Sequence, residues 1–304
     1  MMLQCWRVEN ASYFPPLLKI VTILVTNDIT FPSFCKEKIE DEVDKMKIAC
    51  IQMDIAFGDV KINMENAQKK IEEAMQGKPD VIVLPELWTT GYDLERLPEI
   101  ADKDGIQTKQ LLSEWAQQYS VNIVGGSIAK QTKHGVTNTM YIVNREGKLQ
   151  NEYSKVHLFQ LMNEHNYLIA GDETGEFTLD EVQCGGVICY DIRFPEWLRV
   201  HTGRGAKVLF VVAEWPLVRL AHWRLLLQAR AIENQCYVVA CNRAGKDPNN
   251  VFAGHSLIVD PWGEVVVEAG EEESILYGDL ELEKIKEVRK GIPVFADRRP
   301  ELYK

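Results

Sequence analysis

The chain lacks a paired-cysteine signature, an excess of positive charge and any apolar stretch of membrane length. Its seven cysteines are an odd number without CxxC spacing, so nothing indicates a disulfide framework or a zinc knuckle, and a reducing cytoplasm fits best. Lys and Arg number 34 against 45 Asp and Glu, a formal net charge of −11. Without a basic face the chain has no footprint for nucleic acid. The apolar run Leu17–Val25 falls far short of the roughly 20 residues that a membrane helix needs, so no membrane is expected. His134, His165, His201 and His222 show no metal-ligand spacing, which argues against a metal. "IVGGSI", Ile123–Ile128, lacks the full GxGxxG pattern of a dinucleotide site, and its Gly125 and Gly126 read as permits for close packing. No cofactor is expected.

What is present is the composition of an ordinary globular protein: 304 residues, 46% apolar and 26% charged, with ample length for a large core. The text changes abruptly at Met46, where "MKIACIQMD" opens like a folded domain. Residues 1–45 have neither transit-peptide character nor a clear cleavage site. They read as an extension, with Met46 a candidate natural start and 46–304 one α/β domain.

Short apolar runs then alternate with segments of helical period. Strands are expected at Lys47–Met53, Asp80–Leu84, Asn122–Ile128, Thr139–Val143, Gly186–Cys189, Val208–Ala213, Tyr237–Cys241, Ser256–Val259 and Ile275–Leu280. Ala67, Ile71, Ala74 and Met75 mark one amphipathic helix, and Leu111, Leu112, Trp115, Ala116 and Tyr119 a second. Leu217–Asn234 is apolar on more than one face and is expected to be a buried helix. "NREG" and "DPWG" are hairpin turns. Helix alternation mixed with hairpins implies mixed sheets with helices packed outside.

Three reactive side chains close apolar runs: Glu86 in "VIVLPELW", Lys155 in "NEYSKVHLF" and Cys189 in "GGVICYDIRFPE". In α/β proteins such strand ends converge on one rim, where ligands bind. A thiol with pKa near 8.5 needs a cation, a helix N-terminus or a base to become a nucleophile. Pro195 predicts a helix start, Lys155 offers the cation, and Glu86 can carry the proton. Taken alone, each has a plainer reading. A cysteine ending a strand is more often a small buried hydrophobe, Glu86 can be a helix-start carboxylate, and Lys155 a solvated charge. His157, two residues from Lys155, raises a cysteine–histidine pair as a minor alternative.

In their order, "VIVLPELWTTGY", "YSKVHLF" and "GGVICYDIRFPE" resemble the three catalytic signatures of the nitrilase superfamily of carbon–nitrogen hydrolases, and the resemblance covers essentially Met46–Lys304. It implies a four-layer α-β-β-α sandwich and a triad falling on Glu86, Lys155 and Cys189. A second glutamate matches Glu164. The oxyanion would be held by Lys155 and the Tyr190 N–H, and a homodimer or higher homo-oligomer is implied.

Within the superfamily, "HLFQLMNEHNYLIAGD", "CYDIRFPE" and "AEWPLVRLAHWRLLLQARAIENQ" look most like the ω-amidase branch. That implies hydrolysis of a terminal carboxamide on a small carboxylate-bearing molecule, such as 2-oxoglutaramate or 2-oxosuccinamate. A guanidinium can hold such a carboxylate by two hydrogen bonds. Arg193 is the first candidate, with an ion pair to Glu196 as its plainer reading; Arg219 and His222 come second, and Trp215 and Tyr190 can line the pocket. An N-carbamoyl amino acid hydrolase, a nitrilase proper and a catalytically silent scaffold of the same fold are the competing readings.

Overall fold

The computed structural model describes residues 45–303. The remainder of the expected extension, with Leu17–Val25, lies outside the described residues. The strands are β1 (Lys45–Gln52), β2 (Val81–Val83), β3 (Asp102–Lys103), β4 (Asn122–Thr132), β5 (Gly135–Val143), β6 (Leu149–Ser154), β7 (Glu176–Leu179), β8 (Val182–Ile188), β9 (Val208–Ala213), β10 (Tyr237–Asn242), β11 (Leu257–Val259), β12 (Val265–Glu268) and β13 (Ser274–Glu281). The helices are α1 (Val60–Ala74), α2 (Leu97–Ile100), α3 (Ile106–Tyr119), α4 (Glu164–Tyr167), α5 (Pro195–Gly203), α6 (Leu220–Asn234), α7 (Glu283–Gly291) and α8 (Val294–Asp297).

Two mixed sheets result. One runs β13-β1-β2-β4-β5-β6 with β3 beside β4, and the other β12-β11-β10-β9-β8-β7. β1, β2 and β4 are parallel, as are β8, β9 and β10, and the hairpins supply the antiparallel pairs. Strand alternation divides the core. Met46, Ile48 and Cys50 of β1 join Val83, Met140 and Tyr153 against β8, β9 and β10, whereas Ala49 and Ile51 face Ala67 and Ile71 of α1 and Leu112 and Trp115 of α3. Leu198 of α5 and Trp223 and Leu227 of α6 cover the second sheet. Helix, sheet, sheet and helix are thus stacked, as expected from the sequence.

Local signals account for several boundaries. Asp59 caps α1 by accepting the Ile62 N–H, and Pro195 stands in the first turn of α5, where its missing N–H costs nothing. Gly186 lies where the sheets meet: a Cβ there would come within 2.4 Å of Met140 Cε. All nine expected strands form, Val208–Ala213 with the expected bounds and the other eight with a shifted end. The hairpin turns close through Gly147 N–H to the Asn144 carbonyl and Gly263 N–H to the Asp260 carbonyl.

The expectation of a buried helix over Leu217–Asn234 is corrected on one side. A short 3₁₀ turn, Leu217–Arg219, leads into α6. Trp223, Leu227 and Ala231 face the sheet, while Leu225 and Ile232 on the far side are exposed. The helix is apolar on two faces, but only one has a sheet to pack against.

Candidate active site

Glu86, Lys155 and Cys189 each leave a strand at the same rim. Glu86 follows β2, and its passage depends on β4, which shifts register between Val124 and Ser127. Gly126 sits in that irregularity with φ +58°, and a Cβ would lie 2.1 Å from the Pro85 carbonyl oxygen. Only glycine lets the two backbones pass so closely, which is the role the sequence suggested. Lys155 follows β6 and donates its backbone N–H to the Asn138 carbonyl at 2.8 Å. Cys189 closes β8 with φ +46°, a left-handed conformation unusual for a side-chain-bearing residue.

The three side chains are buried together. Glu86 Oε1 accepts from Lys155 Nζ at 2.8 Å, Asn138 Nδ2 at 2.8 Å and the Tyr92 hydroxyl at 3.3 Å, and its Oε2 accepts the Glu214 N–H at 2.9 Å. Glu164, at the start of α4, presents Oε1 to Lys155 Nζ at 2.7 Å and to the Tyr92 hydroxyl at 2.6 Å, while its Oε2 takes the Phe159 N–H. One ammonium therefore bridges two carboxylates, and a single phenol touches both. Lys155, Glu86 and Glu164 are all fully buried.

Their ionisation follows from this packing. Burial alone would depress Lys155, but the Glu164 and Glu86 carboxylates hold its ammonium well above the usual range. Burial raises Glu164 against the pull of Lys155, helped by the negative charge of Glu86. Tyr92 is raised well above a free phenol by burial and by both carboxylates, so it is a neutral donor.

Cys189 corrects one expectation. The sequence suggested that a helix N-terminus and a nearby lysine would favour the thiolate. Burial instead pushes the thiol well up, Glu86 adds to the rise, and Lys155 opposes it without prevailing. The α-helix begins only at Pro195, after a 3₁₀ turn Cys189–Arg193. At rest the sulfur is a thiol, and it needs a base during attack rather than before it. His157 is not placed as that base: its ring stacks on Phe194, its Nδ1 faces Asp191 Oδ1 at 2.8 Å, and among the described residues no hydrogen bond joins it to Cys189.

Above the thiol lies a narrow cleft lined by Phe159, Met162, Cys189, Tyr190, Arg193, Trp215, Pro216 and Arg219. The Arg193 guanidinium lies over Trp215, 4.8 Å from the ring centre, with His222 Nδ1 3.4 Å from its Nη2. Arg219 covers the Phe159 ring at 5.5 Å. Burial, with Arg219 nearby, lowers Arg193 from its ordinary value. Among the described residues no ion pair engages Arg193, so the alternative of a bond to Glu196 is absent. Tyr190 packs on Phe159, and its N–H belongs to the first turn of a helix, where no intrahelical carbonyl is in reach. All the residues expected at the site are thus brought together.

The sequence reading missed Tyr92, Asn138 and Glu214. Tyr92 stands inside the quoted "PELWTTGY" and was open to detection; Asn138 carried no signal. Glu214 lies behind Glu86, with its Oε2 accepting from Arg243 Nη1 at 2.8 Å and its Oε1 unpartnered. Burial pushes its carboxyl up to about 8 against the pull of Arg243. Among the described residues, no group of His, Cys, Asp and Glu is arranged to hold a metal, and no helix is long and apolar enough to cross a membrane.

Comparison with known proteins adds relatives to this geometry. Residues 47–290 match the carbon-nitrogen hydrolase family. The chain is 55% identical over 259 residues to the 2-oxoglutaramate amidase of Bacillus subtilis (strain 168), covering 85% of this chain and all of that one. It is 36% identical over 267 residues to human omega-amidase NIT2, covering 84% of this chain and 96% of the relative. In fold it is similar to Saccharomyces cerevisiae Nit3, a member of branch 10 of the nitrilase superfamily. The TM-score is 0.79 at 32% identity, over 84% of this chain and 97% of that structure.

Proposed function

Since this chain belongs to the carbon–nitrogen hydrolases of the nitrilase superfamily and is an amide-hydrolysing enzyme, we propose that Cys189 is its nucleophile, Glu86 its proton carrier and Lys155 its oxyanion cation. The observation that carries this reading is the meeting of one buried ammonium, two buried carboxylates and a thiol at one rim. As sulfur attacks the amide carbon, Glu86 takes the thiol proton, and the carbonyl π electrons move to oxygen. Lys155 and the Tyr190 N–H hold that oxyanion. Collapse breaks the C–N bond, Glu86 returns the proton to nitrogen, and ammonia leaves a thioester. Water, deprotonated by Glu86, then attacks the thioester, and the sulfur departs as a thiol. Glu164 keeps Lys155 placed and shares Tyr92 with Glu86.

The substrate is a terminal carboxamide whose far end carries a carboxylate, 2-oxoglutaramate first and 2-oxosuccinamate second. Arg193 supports this choice: it is half-buried, free of any acid partner and held on Trp215 in the cleft that contains Cys189. The similarity to 2-oxoglutaramate amidase supports the same choice. Ammonia release should be measured on both oxo-amides, glutamine, asparagine, N-carbamoyl-β-alanine and a simple nitrile. The oxo-amides should be turned over selectively, and Arg193→Lys should raise KM roughly ten- to a hundredfold with kcat little changed. Turnover of the carbamoyl compound or the nitrile alone would reject this substrate.

A homodimer in the cytoplasm completes the reading. Val218, Leu225 and Ile232, seven residues apart along the outer side of α6 and its leading turn, are 85%, 67% and 53% exposed. Such a row fits a second copy better than water. The five cysteines among the described residues are all free, as a reducing compartment maintains. Light scattering should give twice the chain mass at micromolar concentration, and a monomer mass would rule out the pairing.

A further inference from the structure

Asp191 lies two residues beyond the nucleophile, fully buried, and no lysine or arginine pairs with it among the described residues. An isolated buried carboxylate costs several kcal/mol unless donors surround it, and four surround this one. Its Oδ2 accepts the Tyr153 hydroxyl at 2.7 Å and the Ile188 N–H at 3.0 Å. Its Oδ1 accepts the His157 N–H at 3.0 Å and faces His157 Nδ1 at 2.8 Å.

The sequence positions of the donors give the arrangement its meaning. Tyr153 and His157 flank Lys155 by two residues on either side, and Ile188 immediately precedes Cys189. One carboxylate therefore ties the end of β6 in the first sheet to the end of β8 in the second. Each tie is itself braced. The Tyr153 hydroxyl accepts from Trp197 Nε1 at 3.0 Å, which leaves its proton directed to Asp191. The His157 ring stacks on Phe194 with centroids 3.7 Å apart. Beyond them, Arg230 Nε holds the Ile192 carbonyl at 2.7 Å, fixing the turn from its other side.

We propose that Asp191 is a positioning residue that sets the Lys155 ammonium against the Cys189 sulfur by clamping the two strand ends that carry them. It touches neither substrate nor the reacting atoms. The inference rests on the assignment of Cys189 as nucleophile, but not on the choice of substrate. Lys155 is the group that opposes the rise in the thiol's pKa, so its placement governs how readily the sulfur reacts.

Asp191→Asn keeps the shape while presenting an NH2 group to one of the two donor pairs, so at least one backbone N–H, that of Ile188 or of His157, loses its acceptor. Misplacement of this kind should cut kcat roughly ten- to a hundredfold, with KM changed by less than about threefold. Alkylation of Cys189 by iodoacetamide should slow as well. The same substitution made in Lys155→Met should alter alkylation little, because no ammonium remains to be placed. Equal slowing in both backgrounds, or an unchanged kcat in folded Asp191→Asn protein, would reduce Asp191 to a turn-stabilising residue and overturn the proposal. If Asp191→Asn does not fold, Tyr153→Phe removes a single tie and should lower kcat severalfold at constant KM; an unaltered kcat there also overturns it. Alkylation needs no amide, so a mistaken substrate would silence turnover without affecting this comparison.

Discussion

Cys189→Ala should lose at least roughly 10⁴-fold in kcat, since removing a covalent nucleophile leaves only binding and oxyanion stabilisation. The fold should be retained. The substitution deletes one small atom, and alanine can take the positive φ of residue 189 as cysteine does. The ammonium–carboxylate cluster beneath keeps the Lys155 bonds to Glu86 and Glu164 and the Asn138 bond to Glu86, because none of these uses the sulfur. Ammonia release and thermal melting check the two halves, and activity within tenfold of wild type would remove Cys189 from the mechanism. The wild-type thiol should also alkylate without the rate step that an ordinary cysteine shows at about pH 8.5, because burial and Glu86 hold its pKa well above that point.

Lys155→Met should abolish turnover and, unlike the cysteine change, also destabilise the protein. Methionine matches the length of the lysine stem but leaves Glu86 and Glu164 facing each other without a cation, both fully buried. Breaking a buried pair from one side costs about 3–5 kcal/mol, or on the order of 10 °C in Tm for a domain of this size. Lowering the pH should restore part of the loss. Glu164 already has a raised pKa, and without Lys155 it rises further, so protonation relieves the repulsion as pH falls. Melting followed across mildly acidic pH checks this: Lys155→Met should gain on wild type as the buffer is acidified. A gap independent of pH would mean that the cost comes from packing rather than charge.

The parts of this site legible in sequence were those announced by local pattern. Glu86, Lys155 and Cys189 each stop an apolar or alternating run, and parallel strands bring such stops to one rim. Other residues act through partners far away in sequence: Asn138 meets Glu86 across 52 residues, and the Glu214 N–H meets it across 128. No periodicity marks such contacts. β6 escaped notice because "LQNEYS" is an edge strand with only Tyr153 fully buried, so its apolar alternation is nearly absent. The resting state of Cys189 was misread for a related reason. A helix start is visible in Pro195, whereas the desolvation that outweighs any pull toward thiolate depends on tertiary burial, which local sequence does not encode.

The rim is shared between the two sheets: β2 and β6 of the first deliver Glu86 and Lys155, and β8 of the second delivers Cys189. The reactive geometry therefore exists only while one sheet is seated on the other. Turnover becomes a gauge of that seating. A sliding of the layers by about 1 Å, too little to wet the core, would still part the sulfur from its base and cost on the order of a hundredfold in rate. Gly186, with Met140 pressed into the space where a side chain would stand, then acts as a detent that keeps the sandwich in catalytic register.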